Sequence, residues 1–134
     1  MKSARLHAAG DVQLHDEPIP IPEADETLVH VTAVGLCGSD IHWFHEGGIG
    51  DARVVHPLVL GHEFAGVTAN GQRVAVDPAI PCEHCEYCLE GNPNLCSNLY
   101  FAGHGTNDGG LREWLTWKTR VLVPLPALMS VPFA

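Results

Sequence analysis

Positive charge is scarce in this sequence: seven Lys and Arg stand against 16 Asp and Glu, a formal net charge of −9. The seven are scattered without a run, which excludes the clustered basic surface that displaces counterions from nucleic acid. Long apolar runs are missing too. No stretch approaches the roughly 20 apolar residues of a membrane-crossing helix, and the N-terminus MKSARLHAAGD lacks the apolar core of a secretory signal. The expectation is a soluble, cytoplasmic protein with neither nucleic acid nor membrane as a partner. Repeats, low-complexity tracts and linkers are absent, and 134 residues suffice for one domain with a core but not for two ordinary ones.

Glycine and proline, by contrast, are plentiful, at 14 and 10 residues, beside a hydrophobic content of 46%. That balance indicates a turn-rich, mainly β domain with little helix. Ser3 to His7 and Val12 to His15 read as strands around a Gly10-Asp11 turn, and Pro18, Pro20 and Pro22 as an extended connector. Thr27 to Val34 alternates as a strand, Gly47-Gly48-Ile49-Gly50 reads as a flexible loop, and Val54 to Leu60 is extended. Asn70-Gly71 should close a two-residue type I′ hairpin between Ala65–Ala69 and Gln72–Val76. Leu111 to Val123 is β-like again, until Pro124 and Pro126 stop it.

Five cysteines in a chain of this type read as metal ligands or reactive groups, because reducing compartments disfavour disulfides and an odd count leaves one over. Four of them, Cys82, Cys85, Cys88 and Cys96, lie in CEHCEYCLEGNPNLC. Two-residue gaps let neighbouring thiolates turn onto one ion, and Gly91-Asn92-Pro93 brings Cys96 back. Four protein ligands saturate zinc, so such a site is structural. An iron–sulfur cluster uses four thiolates as well. A zinc ribbon for nucleic acid is opposed by Glu83, Glu86 and Glu90 around the cysteines. His84, inside the knot, is expected to be exposed.

The fifth, Cys37, stands in GLCGSDIH. Alone it reads as a small buried apolar group. With His62-Glu63 it becomes more informative. A thiolate, an imidazole and a carboxylate on separate segments, flanked by glycines, suit an open zinc site of the catalytic type.

These residues resemble the zinc-dependent medium-chain alcohol dehydrogenases, specifically their polyol branch of sorbitol and L-idonate dehydrogenase-like proteins. The resemblance is carried by GLCGSDIHWFHEGGIGD (35–51), PLVLGHEFAG (57–66), GQRVAVDP (71–78), the four-cysteine loop and DGGLREW (108–114). It implies a mainly β, GroES-like, partly open barrel over residues 1–134, with few short helices and a structural-zinc lobe protruding at 77–98. It implies Cys37 and His62 as catalytic zinc ligands, and Glu63 as a further ligand or a close neighbour of the metal. Ser39 and His42 match positions that relay the substrate proton to solvent, and Trp43 and Phe44 are candidate walls of the substrate pocket. His7, His15, His30, His45, His56 and His104 are left as structural or solvent-facing.

The function implied is NAD- or NADP-linked oxidation of a secondary alcohol, a polyol or sugar acid, to a ketone. The partner is a small-molecule substrate, with homo-oligomers possible. The alternative is a truncated, catalytically silent zinc-binding domain. No G-x-G-x-x-G opens a helix after a strand; Gly103-His104-Gly105 with Gly109 has no βαβ unit around it. The nucleotide-binding domain is therefore expected to be absent from the sequence, which stops at Pro132-Phe133-Ala134, and a further family ligand of the catalytic metal to lie beyond it. The Asn70-Gly71 loop is shorter than is usual in the family.

Overall fold

Alternation of apolar and polar side chains builds most of the chain into short strands. The computed structural model describes residues 1–129, so the terminal Pro132-Phe133-Ala134 lies outside the described residues. Strands β1 (Lys2–Ala8) and β2 (Asp11–Asp16) form the expected antiparallel hairpin. The proline-rich connector leads to β3 (Glu26–Gly35), helix α1 (Gly38–Glu46), and the short strands β4 (Gly48–Ile49), β5 (Ala52–Arg53) and β6 (Leu58–Val59). Next come β7 (Glu63–Thr68), β8 (Arg73–Val76), β9 (Ala79–Ile80), helix α2 (Glu86–Leu89) and β10 (Tyr100–Phe101). The β-like run after Leu111 divides into β11 (Trp114–Lys118) and β12 (Leu122–Pro124), separated by a 3-10 turn at Thr119–Val121.

Five strands form one antiparallel sheet in the order β11-β3-β7-β8-β12. The strands β11 and β12 remain edges, so the curled sheet is an open half-barrel, as expected. Its inner face packs Val29, Phe64, Val74, Val76, Leu115 and Trp117 into one core, with the Trp117 indole N–H satisfied by the Asp77 carbonyl at 2.9 Å. A second sheet, β2-β1-β6, covers a smaller core of Leu6, Leu58, Leu60 and Trp43. Leu6 and Leu58 are fully buried, each worth about 1.5–3 kcal/mol relative to exposure. Among the described residues no helix is long and apolar enough to cross a membrane.

Two local expectations are corrected. The Gly47–Gly50 segment is not a free loop. Gly47 caps α1, its N–H bonding the Trp43 carbonyl at 3.0 Å, and β4 pairs with β5. The hairpin after Thr68 has a three-residue loop instead of a two-residue type I′ turn. Thr68 N–H bonds the Gln72 carbonyl at 2.9 Å while the Thr68 carbonyl takes the Gly71 N–H at 2.9 Å. A type I′ turn needs positive φ at both central residues, and here Gly71, at +84°, adopts it and Asn70 does not. Thr68 Oγ1 bonds the Asn70 side chain and takes the Gln72 N–H, which favours the wider turn. The GSDIHWFHE segment, to which the sequence assigned no element, is a nine-residue helix. Its two glycine-flanked ends and short length hide the 3.6-residue period.

Candidate metal centre

Cys37 ends the β3 excursion and stands at the N-cap of α1, in extended conformation. Asp40, at the third helical position, is 2% exposed and accepts the Cys37 N–H through Oδ2 at 2.9 Å. This is the carboxylate half of a capping box. Its other oxygen, Oδ1, accepts the Gly61 N–H at 3.1 Å and stands 3.7 Å from His62 Nδ1. One buried carboxylate thus ties the Cys37 turn to the His62 turn. Gly61, at φ +90°, takes the left-handed conformation that lets β6 turn into His62. His62 is steadied on its other side by Phe101, with ring centroids 5.5 Å apart.

Glu63 opens β7 opposite Gly35. A Cβ at Gly35 would stand 2.6 Å from Glu63 Oε2, so the bare backbone gives the carboxylate room to fold back toward Cys37. One donor atom each from Cys37, His62 and Glu63 lies within 4.8 Å of the others. Around zinc, with ligands at about 2.0–2.3 Å, tetrahedral donors stand about 3.3–3.8 Å apart. Small side-chain rotations close that gap. With Nδ1 on the Asp40 side, Nε2 is the nitrogen available to a metal, and a carboxylate behind a ligating imidazole is the usual support for one. The donor set fits zinc. Beside it a cavity of about 570 Å³ is lined by His62, Glu63, Gly35, Ala65, Ala75 and Pro78.

The remaining sequence candidates separate. Ser39 is half-buried on the first turn of α1. His42, one turn on, is exposed and hydrogen-bonded to Glu46 at 2.8 Å. Trp43 and Phe44, expected as pocket walls, do not line the cavity beside His62. Trp43 is 1% exposed among Leu6, Leu58 and Leu60, edge-on to His104 at 5.6 Å, and Phe44 packs against the same core. The reason is helical spacing: Trp43 shares the inward face of α1 with Asp40 at i−3, while Ile41, His42 and His45 turn outward. Sequence reasoning missed Asp40, Gly35 and Phe101. Only Asp40 left a signal, an acid three residues after an N-cap.

The other cysteines converge on one point of the lobe that hangs from the β9–β10 ladder. Cys82, Cys85, Cys88 and Cys96 each place a sulfur within 4.8 Å of the rest, and Cys85 and Cys96 sulfurs are 3.9 Å apart. Tetrahedral thiolates at about 2.3 Å from zinc stand about 3.8 Å apart, whereas a disulfide would bring them near 2 Å. All five cysteines are free thiols. Backbone N–H groups of Cys88 and Ser97 bring the Cys85 thiol down to about 6, and that of His84 lowers Cys82. Burial, then the neighbouring thiols, pushes Cys88 up to about 12. Amides already point at sulfur, as a bound thiolate cluster requires. His84 is exposed, as expected, with Nδ1–H donating to the Cys82 carbonyl at 2.6 Å.

An open antiparallel half-barrel carrying a four-thiolate lobe and a separate Cys–His–Glu cluster defines a mainly β domain with two candidate metal centres of different kinds. Residues 23–127 match the alcohol dehydrogenase GroES-like domain, and the chain belongs to that family, in its polyol branch. It is 36% identical to sorbitol dehydrogenase of Bacillus subtilis, over 97% of this chain and 40% of that protein. It is 41% identical to D-xylulose reductase A of Aspergillus oryzae, over 90% of this chain and 37% of that protein. The crystal structure of L-idonate 5-dehydrogenase from Escherichia coli superposes with a TM-score of 0.87 at 35% identity, covering 94% of this chain and 40% of that one. The chain therefore spans about two fifths of the length of the relatives it matches. By name, these relatives are two dehydrogenases and a reductase.

Proposed function

We propose that residues 1–134 form the catalytic domain of a zinc-dependent, NAD- or NADP-linked dehydrogenase that oxidises a secondary alcohol of a polyol or sugar acid to a ketone. The observation that carries this reading is the convergence of Cys37, His62 and Glu63 beside an open cavity. Three protein ligands leave a position for a substrate oxygen, whereas four complete the sphere in the 77–98 lobe. A catalytically silent zinc domain leaves the three-ligand cluster and its cavity without a purpose. When bound, zinc supplies Lewis-acid polarisation of the alcohol and the nicotinamide accepts the hydride.

The chain's own residues do the rest. Asp40 fixes the orientation of His62 and the turn that carries Cys37. The small side chains at Gly35, Ala65 and Ala75 keep the approach to Glu63 clear. Ser39, close to Cys37 in the first turn of α1, accepts the hydroxyl proton as it gives its own toward His42, one turn away, which passes a proton to solvent beside Glu46. Cofactor binding is assigned to a nucleotide-binding domain outside these residues, in keeping with relatives of greater length.

The reading is tested by metal content and turnover together. The purified chain should hold two zinc ions by mass spectrometry. Cys37→Ala should hold one, while Cys85→Ala should lose the ion of the lobe and keep less folded protein. The longest polypeptide encoded in frame with this sequence should reduce NAD or NADP with a polyol panel. Unchanged zinc in Cys37→Ala would remove Cys37 from the ligands, and absence of turnover in the zinc-loaded polypeptide would remove the activity.

A further inference from the structure

Arg112 enters the domain beside β1, where its backbone forms a bridge with Ser3. Its side chain is only 14% exposed, and among the described residues its Nε is a buried nitrogen without a hydrogen-bond partner. The nearest carboxylate oxygen, Asp108 Oδ2, is 3.9 Å from Nη1, beyond hydrogen-bond reach. Asp108 is already engaged elsewhere. Its Oδ1 accepts Arg5 Nη1 and the Val59 N–H, both at 3.0 Å, and its Oδ2 accepts Arg5 Nη2 at 2.8 Å. Arg5 in turn holds Glu17. A buried guanidinium left in this state is costly, since it has five donors and no means of neutralising itself. Burial pulls its pKa down, against the attraction of Asp108 and Tyr100, and nearby Arg5 adds repulsion.

The side chain lines a cavity of about 460 Å³, a size typical of small-molecule sites. The other charges there are accounted for. Lys118 is hydrogen-bonded to Asp25 at 2.9 Å and paired with Glu26 at 3.3 Å, and Glu26 Oε2 also takes the Glu23 N–H at 3.2 Å. Tyr100, Thr106 and Thr116 bring hydroxyls to the same space. Burial raises the Tyr100 pKa, which keeps its O–H a donor. Of the two cations lining the cavity, Lys118 is hydrogen-bonded to its carboxylates, whereas Arg112 has only the 3.9 Å pairing with Asp108 and keeps its donors free for a ligand, beside hydroxyls that can also donate. Strand alternation separates this cavity from the Cys37–His62–Glu63 cluster, because Phe101 of β10 meets His62 while its neighbour Tyr100 faces the cavity.

We propose that this cavity is an oxyanion site, in which Arg112, assisted by Tyr100 and Thr106, binds a carboxylate or phosphate group of a small molecule. Arg suits both, presenting paired N–H groups to two oxygens. The proposal is independent of the zinc chemistry, and its test is built to stay so.

In the 15N-labelled chain, the Arg112 Nε–H cross-peak is followed during titration with sodium phosphate and, separately, sodium malonate, at ionic strength held constant with sodium chloride. The expected result is a saturating shift of that peak and of the Tyr100 amide, with one or both anions; which of them saturates names the ligand class. Arg112→Gln should weaken binding about tenfold or more, the loss of a charge-assisted hydrogen bond, and Tyr100→Phe by a few-fold. Cys37→Ala should leave binding unchanged, which separates this site from anions collected by a metal. A shift that does not saturate, or that chloride alone reproduces, would overturn the proposal. So would equal affinity in Tyr100→Phe and Arg112→Gln. Should Arg112→Gln fail to fold, the wild-type titration and Tyr100→Phe decide.

Discussion

Replacing Asp40 by Asn is the sharpest test of how this site is held together. The two shapes are nearly identical, so packing at this 2%-exposed position should survive. The hydrogen bonding cannot. Both Asp40 oxygens accept backbone N–H groups, from Cys37 at 2.9 Å and from Gly61 at 3.1 Å. An amide offers one acceptor oxygen and turns an NH2 group toward the other donor. A hydrogen bond to a charged group contributes about 1.5–3 kcal/mol, so Asp40→Asn should cost about 1.5–3 kcal/mol and Asp40→Ala about twice that.

The same change strips the carboxylate from behind His62, 3.7 Å from its Nδ1, and loss of such support typically weakens metal binding about 10–100-fold. Urea unfolding with an unchanged m value reads the stability. Competition with a chromophoric chelator reads the metal, and the four-cysteine site serves as an internal control that should keep its affinity. The reasoning fails if Asp40→Asn lies within about 0.5 kcal/mol of wild type, the scatter of an uninvolved surface position, with both metals bound as before.

Two further predictions concern the frame around the site. A Cβ on Gly109 would stand 2.2 Å from the Gly61 carbonyl oxygen and 2.6 Å from that of Leu60. Backbone must move to accept it, so Gly109→Ala should cost about 1–3 kcal/mol as an overpacking change and lower zinc occupancy at His62; unaltered occupancy and midpoint would contradict the geometry. Glu17 is held below the usual carboxylate range by its hydrogen bond from Arg5, helped by Ser3. A depressed folded pKa stabilises above the unfolded value of about 4.5 and loses that contribution as pH falls through the folded one. Glu17→Gln should therefore be the less stable protein at pH 6.5, and its deficit in unfolding midpoint should shrink below pH 4.5. A deficit independent of pH would assign Glu17 a packing role only.

The candidate ligands were legible in the sequence and much of their support was not. Thiolate spacing at Cys82, Cys85, Cys88 and Cys96 is a short-range geometric requirement, and it is written in consecutive residues. Cys37 and His62 were joined on donor type and flanking glycines and then by resemblance, since 24 intervening residues carry no local rule for their meeting. The strands of the half-barrel followed from alternation. Helix α1 did not, because nine residues with a glycine at one end and an αL glycine after the other span too few turns to show a period. Missing α1 had a direct consequence: without the helix, nothing in the sequence marked Trp43 and Asp40 as sharing an inward face, which i, i+3 spacing gives them. The unsatisfied Nε of Arg112 was equally invisible, because it depends on Asp108 already being engaged by Arg5.

The two clusters stand in different relations to folding. Cys37, His62 and Glu63 are brought together by protein contacts alone: a capped helix, a buried carboxylate bonded to both turns, a ring against Phe101, and a glycine left bare beneath Glu63. Such contacts favour an arrangement that does not depend on the ion, which is what the proposed catalytic zinc would require. The lobe has no comparable support. None of the residues of α2 is buried, and Leu89 and Leu95 are 75% and 55% exposed, so little apolar burial opposes the entropy of ordering the 77–98 loop. Beyond the β9–β10 pairing at its base and the Arg120 contacts with Pro81 and Glu83, the order of the cysteine loop rests on the proposed metal bonds and the amides aimed at the thiols. In one small domain, then, one candidate centre is held by the fold, and the other holds its part of the fold.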